Sequence, residues 1–260
     1  MTTPIPLTRS RRRALAIGLP FVLAAVGFGA LNYVSLVGED SYRVPPTAIP
    51  GTGTVTFGVG SGDITVSPRS DGRSEYSGMV YYSLIKPKLH WKTSSGGAFL
   101  AGGPNCFWIG NCGANLRLSV PPERPVHASS GSGDVEVSGL TGSVRVGDGS
   151  GDIVVNRLSG PLDLINSSGN IEASGLASRN VKANDDSGDV KLSFTKPPAR
   201  VTVAVASGNI TIVVPAGTTY YIVANVVSGS KHIEVETGPN SHHTMYLSDD
   251  SGDVNVLPAS

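Results

Sequence analysis

The chain has 260 residues, with 20 Lys+Arg against 20 Asp+Glu, so its formal net charge is zero. That balance removes the long-range attraction to nucleic acid that a basic domain exerts. With 33 Gly, 15% charged residues, 6% aromatics and 39% hydrophobic residues, it is too apolar for a disordered chain, lacks collagen's three-residue period, and offers many turns around a thin aliphatic core.

Residues 1–13 form a basic tail containing Arg9, Arg11, Arg12 and Arg13. An uncharged run follows from Ala14 to Gly38. As a helix it is about 37 Å long, enough to cross a hydrocarbon core of about 30 Å. Residues 14–38 are therefore predicted as a transmembrane helix acting as a signal anchor. Arginines before the span, and Glu39 and Asp40 after it, set the amino terminus in the cytoplasm and the remainder outside the plasma membrane. A cleaved signal peptide is the rival reading, but the run exceeds the usual apolar region and ends without a good small-x-small site. Residues 39–50 carry Pro45, Pro46 and Pro50 and read as a stiff spacer. Residues 51–260 form the extracytoplasmic domain.

That domain is dominated by a repeat. Ser-Gly-Asp or Ser-Gly-Asn recurs at Gly62-Asp63, Gly133-Asp134, Gly151-Asp152, Gly169-Asn170, Gly188-Asp189, Gly208-Asn209 and Gly252-Asp253, with a looser copy at Ser228-Gly229-Ser230. From Gly133 onward the steps are 18, 18, 19, 20, 21 and 23 residues. Apolar residues stand seven and five positions before each Gly, as in Val144/Val146 and Val201/Val203, and two and four after it, as in Ile153/Val155 and Ile210/Ile212. Strict alternation is the period of a half-buried strand. Each unit thus reads as strand, tight Gly-Asp turn, strand, second turn. One such unit buries too few aliphatics to offset the entropy of ordering its backbone, so units must stack. The expected fold is all-β: a β-solenoid of about eight strand-turn-strand rungs. A β-sandwich is the alternative, but it gives no reason to keep one turn tripeptide in register through eight copies.

An insertion at 67–125 breaks the frame. It holds Trp91, Phe99, Phe107 and Trp108 and both cysteines, Cys106 and Cys112. Met79–Leu84, Leu89–Trp91 and Leu116–Val120 alternate and are predicted strands. The insertion reads as a cap over one end of the stack, since open ends need covering. Trp91, Phe99, Phe107 and Trp108 are also a candidate recognition patch. Outside the membrane, Cys106 and Cys112 are expected to form a disulfide.

Stacking would align Asp and Asn along the turn edge, including Asp148, Asn166, Asp185 and Asp249. Turn capping and side-chain ladders are one reading; a calcium-binding edge is the other. The spacing does not fit the Gly-Gly-x-Gly-x-Asp nonapeptide of calcium-binding β-rolls. Glu136, Asp163, Glu172 and Glu234 alternate outward and read as solvated. His90, His127, His232, His242 and His243 are scattered, and no nucleophile–His–acid order or phosphate-cradling motif stands out. No catalytic, metal or cofactor residues are assigned, and no cofactor is expected.

The recurring Ser-Gly-Asp-Ile/Val-x-Val at Ser61–Val66, Ser132–Val137 and Ser150–Val155, with Ser251-Gly252-Asp253-Val254 and the intervening Gly-Leu pairs, resembles the bacterial DUF4097 family over about residues 50–258. The resemblance implies a repetitive β-fold on the cell envelope, often beside a membrane segment, and carries an adhesin label without catalytic residues. The expectation is a single-pass, non-enzymatic, adhesin-like binding module whose partner is an envelope glycan or another envelope protein, not nucleic acid. An accessory of envelope-stress signalling acting through a membrane partner is the alternative, and a polysaccharide-active enzyme a weaker one.

Overall fold

A computed structural model describes residues 40–83, 86, 90–94, 97–101 and 112–259. The expected membrane helix and Cys106, Phe107 and Trp108 lie outside the described residues, as does the basic tail. Among the described residues no helix is long and apolar enough to cross a membrane, and the secondary structure is all β.

In chain order the first strands are β1 (Asp40–Ala48), β2 (Thr54–Val59), β3 (Ile64–Pro68), β4 (Glu75–Tyr82), β5 (His90–Ser94), β6 (Gly97–Ala101) and β7 (Cys112–Val120). The regular region follows with β8 (Val126–Ser130), β9 (Val135–Ser138), β10 (Val144–Asp148), β11 (Ile153–Asn156), β12 (Leu162–Asn166) and β13 (Ile171–Leu176). It continues with β14 (Asn180–Ser187), β15 (Val190–Phe194), β16 (Arg200–Ser207) and β17 (Ile210–Val214). The far end contains β18 (Tyr221–Ser228), β19 (Lys231–Ile233), β20 (Thr244–Ser251) and β21 (Val254–Pro258).

These strands make two sheets. Sheet I has the order β1-β4-β7-β3-β9-β11-β13-β15-β17-β21-β19; sheet II has the order β18-β20-β16-β14-β12-β10-β8-β2-β6-β5. Through the repeat the chain alternates between them: a strand in sheet II, the Ser-Gly-Asp/Asn turn, a strand in sheet I, a second turn. Equivalent residues pair in parallel, Val126 with Val144 and Val144 with Leu162 in sheet II, Val135 with Ile153 and Ile153 with Ile171 in sheet I. The solenoid follows, because the alternating aliphatics of both strands point into one space. Val126, Val144, Leu164, Val181, Val201, Val135, Ile153, Ile171 and Ile210 are all buried there.

The copies stack in the order 62, 133, 151, 169, 188, 208, 252, 229, named by their glycines. The last two are exchanged relative to the sequence. β18 and β19 take the outermost place, and β20 and β21 fit between them and β16 and β17. Being outermost, the Gly229 copy leaves its frame residues partly open, with Ile233 37% exposed. Lys231 Nζ crosses this end and donates to the Ala224 carbonyl of edge strand β18 at 2.6 Å, which satisfies an acceptor that would otherwise face a neighbouring chain.

The insertion builds the opposite end. β6 adds in parallel to β2 and β7 to β3, and then the direction reverses, with β5 antiparallel to β6 and β4 antiparallel to β7. Most of the expected spacer is paired with the domain. Asp40–Ala48 is strand β1, antiparallel to β4, with Val44 and, just beyond it, Ile49 buried. Its register shifts between Val44 and Thr47, where Pro45 and Pro46 stand; an edge strand tolerates residues that cannot donate to a ladder. Buried Arg124 ties this segment to the stack. Its Nε donates to the Gly53 carbonyl at 2.8 Å, Nη1 to Ser74 Oγ at 2.6 Å and Nη2 to the Pro50 carbonyl at 3.4 Å.

Candidate functional site

The turn edge is built by glycine and the residue after it. Each turn glycine of the repeat has positive φ, for example +124° at Gly133, and backbone from the next rung fills the space a side chain would need. The following Asp or Asn hands its side-chain oxygen to the backbone amide of the neighbouring rung. Asp134 N–H donates to Asp63 Oδ1 at 3.0 Å, Asp152 N–H to Asp134 Oδ1 at 2.9 Å, and Asn170 N–H to Asp152 Oδ1 at 2.7 Å. The line continues from Asp189 N–H to Asn170 at 3.0 Å, Asn209 N–H to Asp189 at 2.7 Å, Asp253 N–H to Asn209 at 3.0 Å and Ser230 N–H to Asp253 at 2.8 Å. At the other end Asp63 N–H donates to Asn115 Oδ1 at 3.1 Å. The predicted turn residues thus come together as one continuous ladder. Among the described residues no group of three or more His, Cys, Asp or Glu is placed to hold a metal ion.

The acidic positions of this edge divide into two sets. Asp152, Asn170, Asp189 and Asp253 belong to the outer ladder. Asp148, Asn166, Asp185 and Asp249, three residues before each glycine, turn inward and are buried. Alternation at seven and five before the glycine extends to three, so this position faces the interior.

The outward acids do not converge. Glu136, Glu172 and Glu234 are exposed, Asp163 pairs with Arg145 Nη1 at 3.0 Å, and Glu234 meets His232 Nε2 at 2.7 Å. Of the proposed insertion patch, Trp91 lies in β5 opposite Leu100, and Phe99 in β6 opposite Lys92 and beside Thr56 of β2. They occupy adjacent rather than facing register positions at the edge of sheet II. Phe107 and Trp108, the other two members, fall outside the described residues. Cys112 begins β7 and is half-buried; its expected partner is Cys106.

A different apolar surface stands on the outer face of sheet II. Six positions before the glycine, the outward residue is Thr56, His127, Arg145, Asp163, Lys182 or Thr202 in the first six copies of the sequence. In the last two it is Val223 and Tyr246, which pair with each other across β18 and β20. Tyr221 and Val227 share that face of β18. Tyr246 is 42% exposed and Val227 81%. The cluster is hard to see in the sequence because it sits inside the repeat, whose strongest pattern is the inward aliphatic frame. The polar-to-apolar change at one fixed offset was the available signal.

The fold and its turn ladder define a two-sheet parallel β-solenoid of stacked Ser-Gly-Asp rungs. The family model for Toastrack DUF4097 matches residues 123–257; the chain belongs to this family. Solved structures to which the chain is similar include a putative cell adhesion protein from Clostridium sporogenes, 14% identical, with TM-score 0.36 and 85% of this chain and 99% of the other covered. A putative adhesin from Bacteroides fragilis is 13% identical, with TM-score 0.43 and coverage of 85% and 97%. A putative lipid binding protein from Parabacteroides distasonis is 15% identical, with TM-score 0.45 and coverage of 86% and 97%. Comparison with curated proteins finds no match.

Proposed function

We propose that this protein is a membrane-anchored, non-catalytic binding module of the cell envelope, and that the outer face of sheet II around Tyr221, Val223, Val227 and Tyr246 is where it meets its partner. The carrying observation is the exposed cluster itself. The outward residue six before the glycine, polar in the other rungs, becomes apolar or aromatic in two adjacent rungs. Exposed tyrosines present a flat apolar ring with a polar tip, the side chain that recurs at recognition surfaces. The turn-edge ladder has a structural part in this reading, with one side-chain oxygen of each Asp or Asn holding the neighbouring rung. The partner is an envelope glycan or another envelope protein reached outside the membrane.

The test is crosslinking on intact cells with a photoreactive residue at Lys182 or Thr202, polar positions on the same face of sheet II. The parent chain should capture a partner that the Tyr221→Ser/Tyr246→Ser double variant loses, while both chains melt at the same temperature. Glycosidase treatment of the captured species separates a glycan from a protein. Equal capture by both chains would refute this face as the site.

A further inference from the structure

The inward row beside the turn has a chemical pattern that the outer ladder does not explain. Ser130, Asp148, Asn166 and Asp185 are consecutive register partners across β8, β10, β12 and β14. Asp249 of β20 holds the same register position, next to Val205 of β16. All five polar residues are buried, none more than 6% exposed.

Two members show what the position does. Ser130 Oγ donates to the Gly62 carbonyl at 2.9 Å, and Asn166 Nδ2 donates to the Gly151 carbonyl at 3.1 Å. Each reaches the turn glycine of the preceding rung in the stack. The aspartates reproduce the other half of the asparagine's geometry. Asn166 Oδ1 accepts from Ser167 N–H at 3.0 Å. Asp148 Oδ1 likewise accepts from Gly149 N–H at 2.8 Å, Asp185 Oδ1 from Ser187 N–H at 3.1 Å, and Asp249 Oδ1 from Ser251 N–H at 3.0 Å. The second oxygen, Oδ2, is sealed from solvent in all three and has no hydrogen-bond partner.

The turn glycine that each Oδ2 approaches is also flanked by a carbonyl of the adjoining rung. A Cβ placed on Gly151 would lie 2.5 Å from the Gly133 carbonyl oxygen and 2.7 Å from Asp148 Oδ2, so the two oxygens crowd one point. On Gly188 it would lie 3.0 Å from Asp185 Oδ2 and against the Gly169 carbonyl; on Gly252, 3.0 Å from Asp249 Oδ2 and against the Gly208 carbonyl. An ionised oxygen sealed from water with no donor beside it is costly to bury. A protonated one would complete the bond that Asn166 and Ser130 make.

The geometry points to Asp148, Asp185 and Asp249 being carried as neutral carboxylic acids in the folded stack. Each Oδ2–H donates to the turn-glycine carbonyl of the adjoining rung, Gly133, Gly169 and Gly208 respectively, so the solenoid loosens as pH rises. The surrounding charges agree. Asp148 faces Asp134 and Asp152 across the turn, and uncharged Ser130 and Asn166 on its flanking strands. Asp185 faces Asp186 and Asp189, with Asn166 and Val205 beside it. Asp249 faces Asp250 and Asp253, with Val205 and Val226 beside it. Burial first, and these carboxylates with it, raise each of the three from the ordinary carboxyl value, against the pull of the local amides.

The sign follows from linkage. A carboxyl that holds its proton more tightly folded than unfolded contributes stability that is complete below the unfolded value, about 3.9, and is lost as pH rises through the folded value. Where all three are protonated folded and ionised unfolded, the folding equilibrium falls about thousandfold per pH unit, tenfold from each.

The experiment compares urea midpoints of the full chain in detergent from pH 4 to pH 9 with those of the D148N/D185N/D249N variant. Asparagine keeps the shape and supplies the Nδ2 donor already used at Asn166. The parent should lose stability relative to the variant as pH rises, and carboxyl-carbon NMR of the parent should show three aspartates titrating above the exposed ones. Parallel pH profiles, or aspartates that all titrate together in the ordinary range, would overturn the inference. So would a neutral-pH midpoint raised by millimolar Ca²⁺ in the parent but not the variant, since it would mean ionised carboxylates holding a cation. Should the triple variant fail to fold, the NMR titration of the parent decides alone.

Discussion

Replacing Gly133 by alanine should be among the most damaging one-carbon changes in this chain. Its φ of +124° is strained for any residue with a Cβ, which costs about 1–3 kcal/mol. The added carbon would lie 2.6 Å from the Gly62 carbonyl oxygen and 2.9 Å from Asp63 Oδ1. Restoring ordinary contact requires the adjoining rung to retreat by roughly 0.8 Å. Gly62 N–H to the Ser132 carbonyl is 2.7 Å, Ile64 N–H to the Asp134 carbonyl 2.9 Å and Ser130 Oγ to the Gly62 carbonyl 2.9 Å. A retreat of that size carries all three to or past the limit of a hydrogen bond, at about 0.5–1.5 kcal/mol each. The total is about 2.5–7.5 kcal/mol, a large part of the stability of an ordinary domain. Gly217→Ala is the control: φ is +74° there but nothing lies within 4 Å of an added carbon, so only about 1–2 kcal/mol of backbone strain is expected. Urea denaturation of both variants in detergent measures the difference. If Gly133→Ala falls within 1 kcal/mol of Gly217→Ala, rung contact at the turn is not what makes glycine necessary, and the stacking argument fails.

Two further outcomes follow from the insertion end. Arg124→Ala strips Ser74 Oγ and the Gly53 carbonyl of their charged donor in a buried setting and should cost about 2–4 kcal/mol. Limited proteolysis should then cut between β1 and β2 before the repeat, and simultaneous loss of both regions would contradict a local role for Arg124. Thiol titration of the denatured, unreduced chain should find no free thiol at Cys106 and Cys112, whose small loop contributes about 2 kcal/mol when closed; two free thiols would exclude the pairing.

The repeat frame was legible because a period of two leaves its mark directly in sequence. Val144/Val146 before Gly151 and Ile153/Val155 after it could face only one way once a core existed. Turn chemistry was legible for the same local reason, since Gly151-Asp152 specifies its own bend. The inward turn of Asp148 could have been read from parity but was masked by its charge, which suggests exposure until the acid is considered neutral. The exchange of the Gly229 and Gly252 copies was not legible at all. Near-identical rungs fit one another in either order, so the tripeptides carry the shape of a layer but not its place. Strand β1 was hidden by Pro45 and Pro46, which read as a spacer until the bulge that accommodates them is seen. The Tyr246 face was hidden because outward positions vary freely without changing the fold, so a local apolar change there leaves no periodic mark.

The exchanged order has a consequence for how the molecule resists unravelling. In a strictly sequential coil the final layer can peel away alone, exposing one new edge at a time. Here the Gly252 copy is wedged, with β16 and β17 on one side and β18 and β19 on the other. Pulling on residues 244–258 must break two interfaces at once. The strands of the Gly229 copy pair with the rest of the stack only through the Gly252 copy, so that end is closed like a latch, with its outer leaf resting on the bolt.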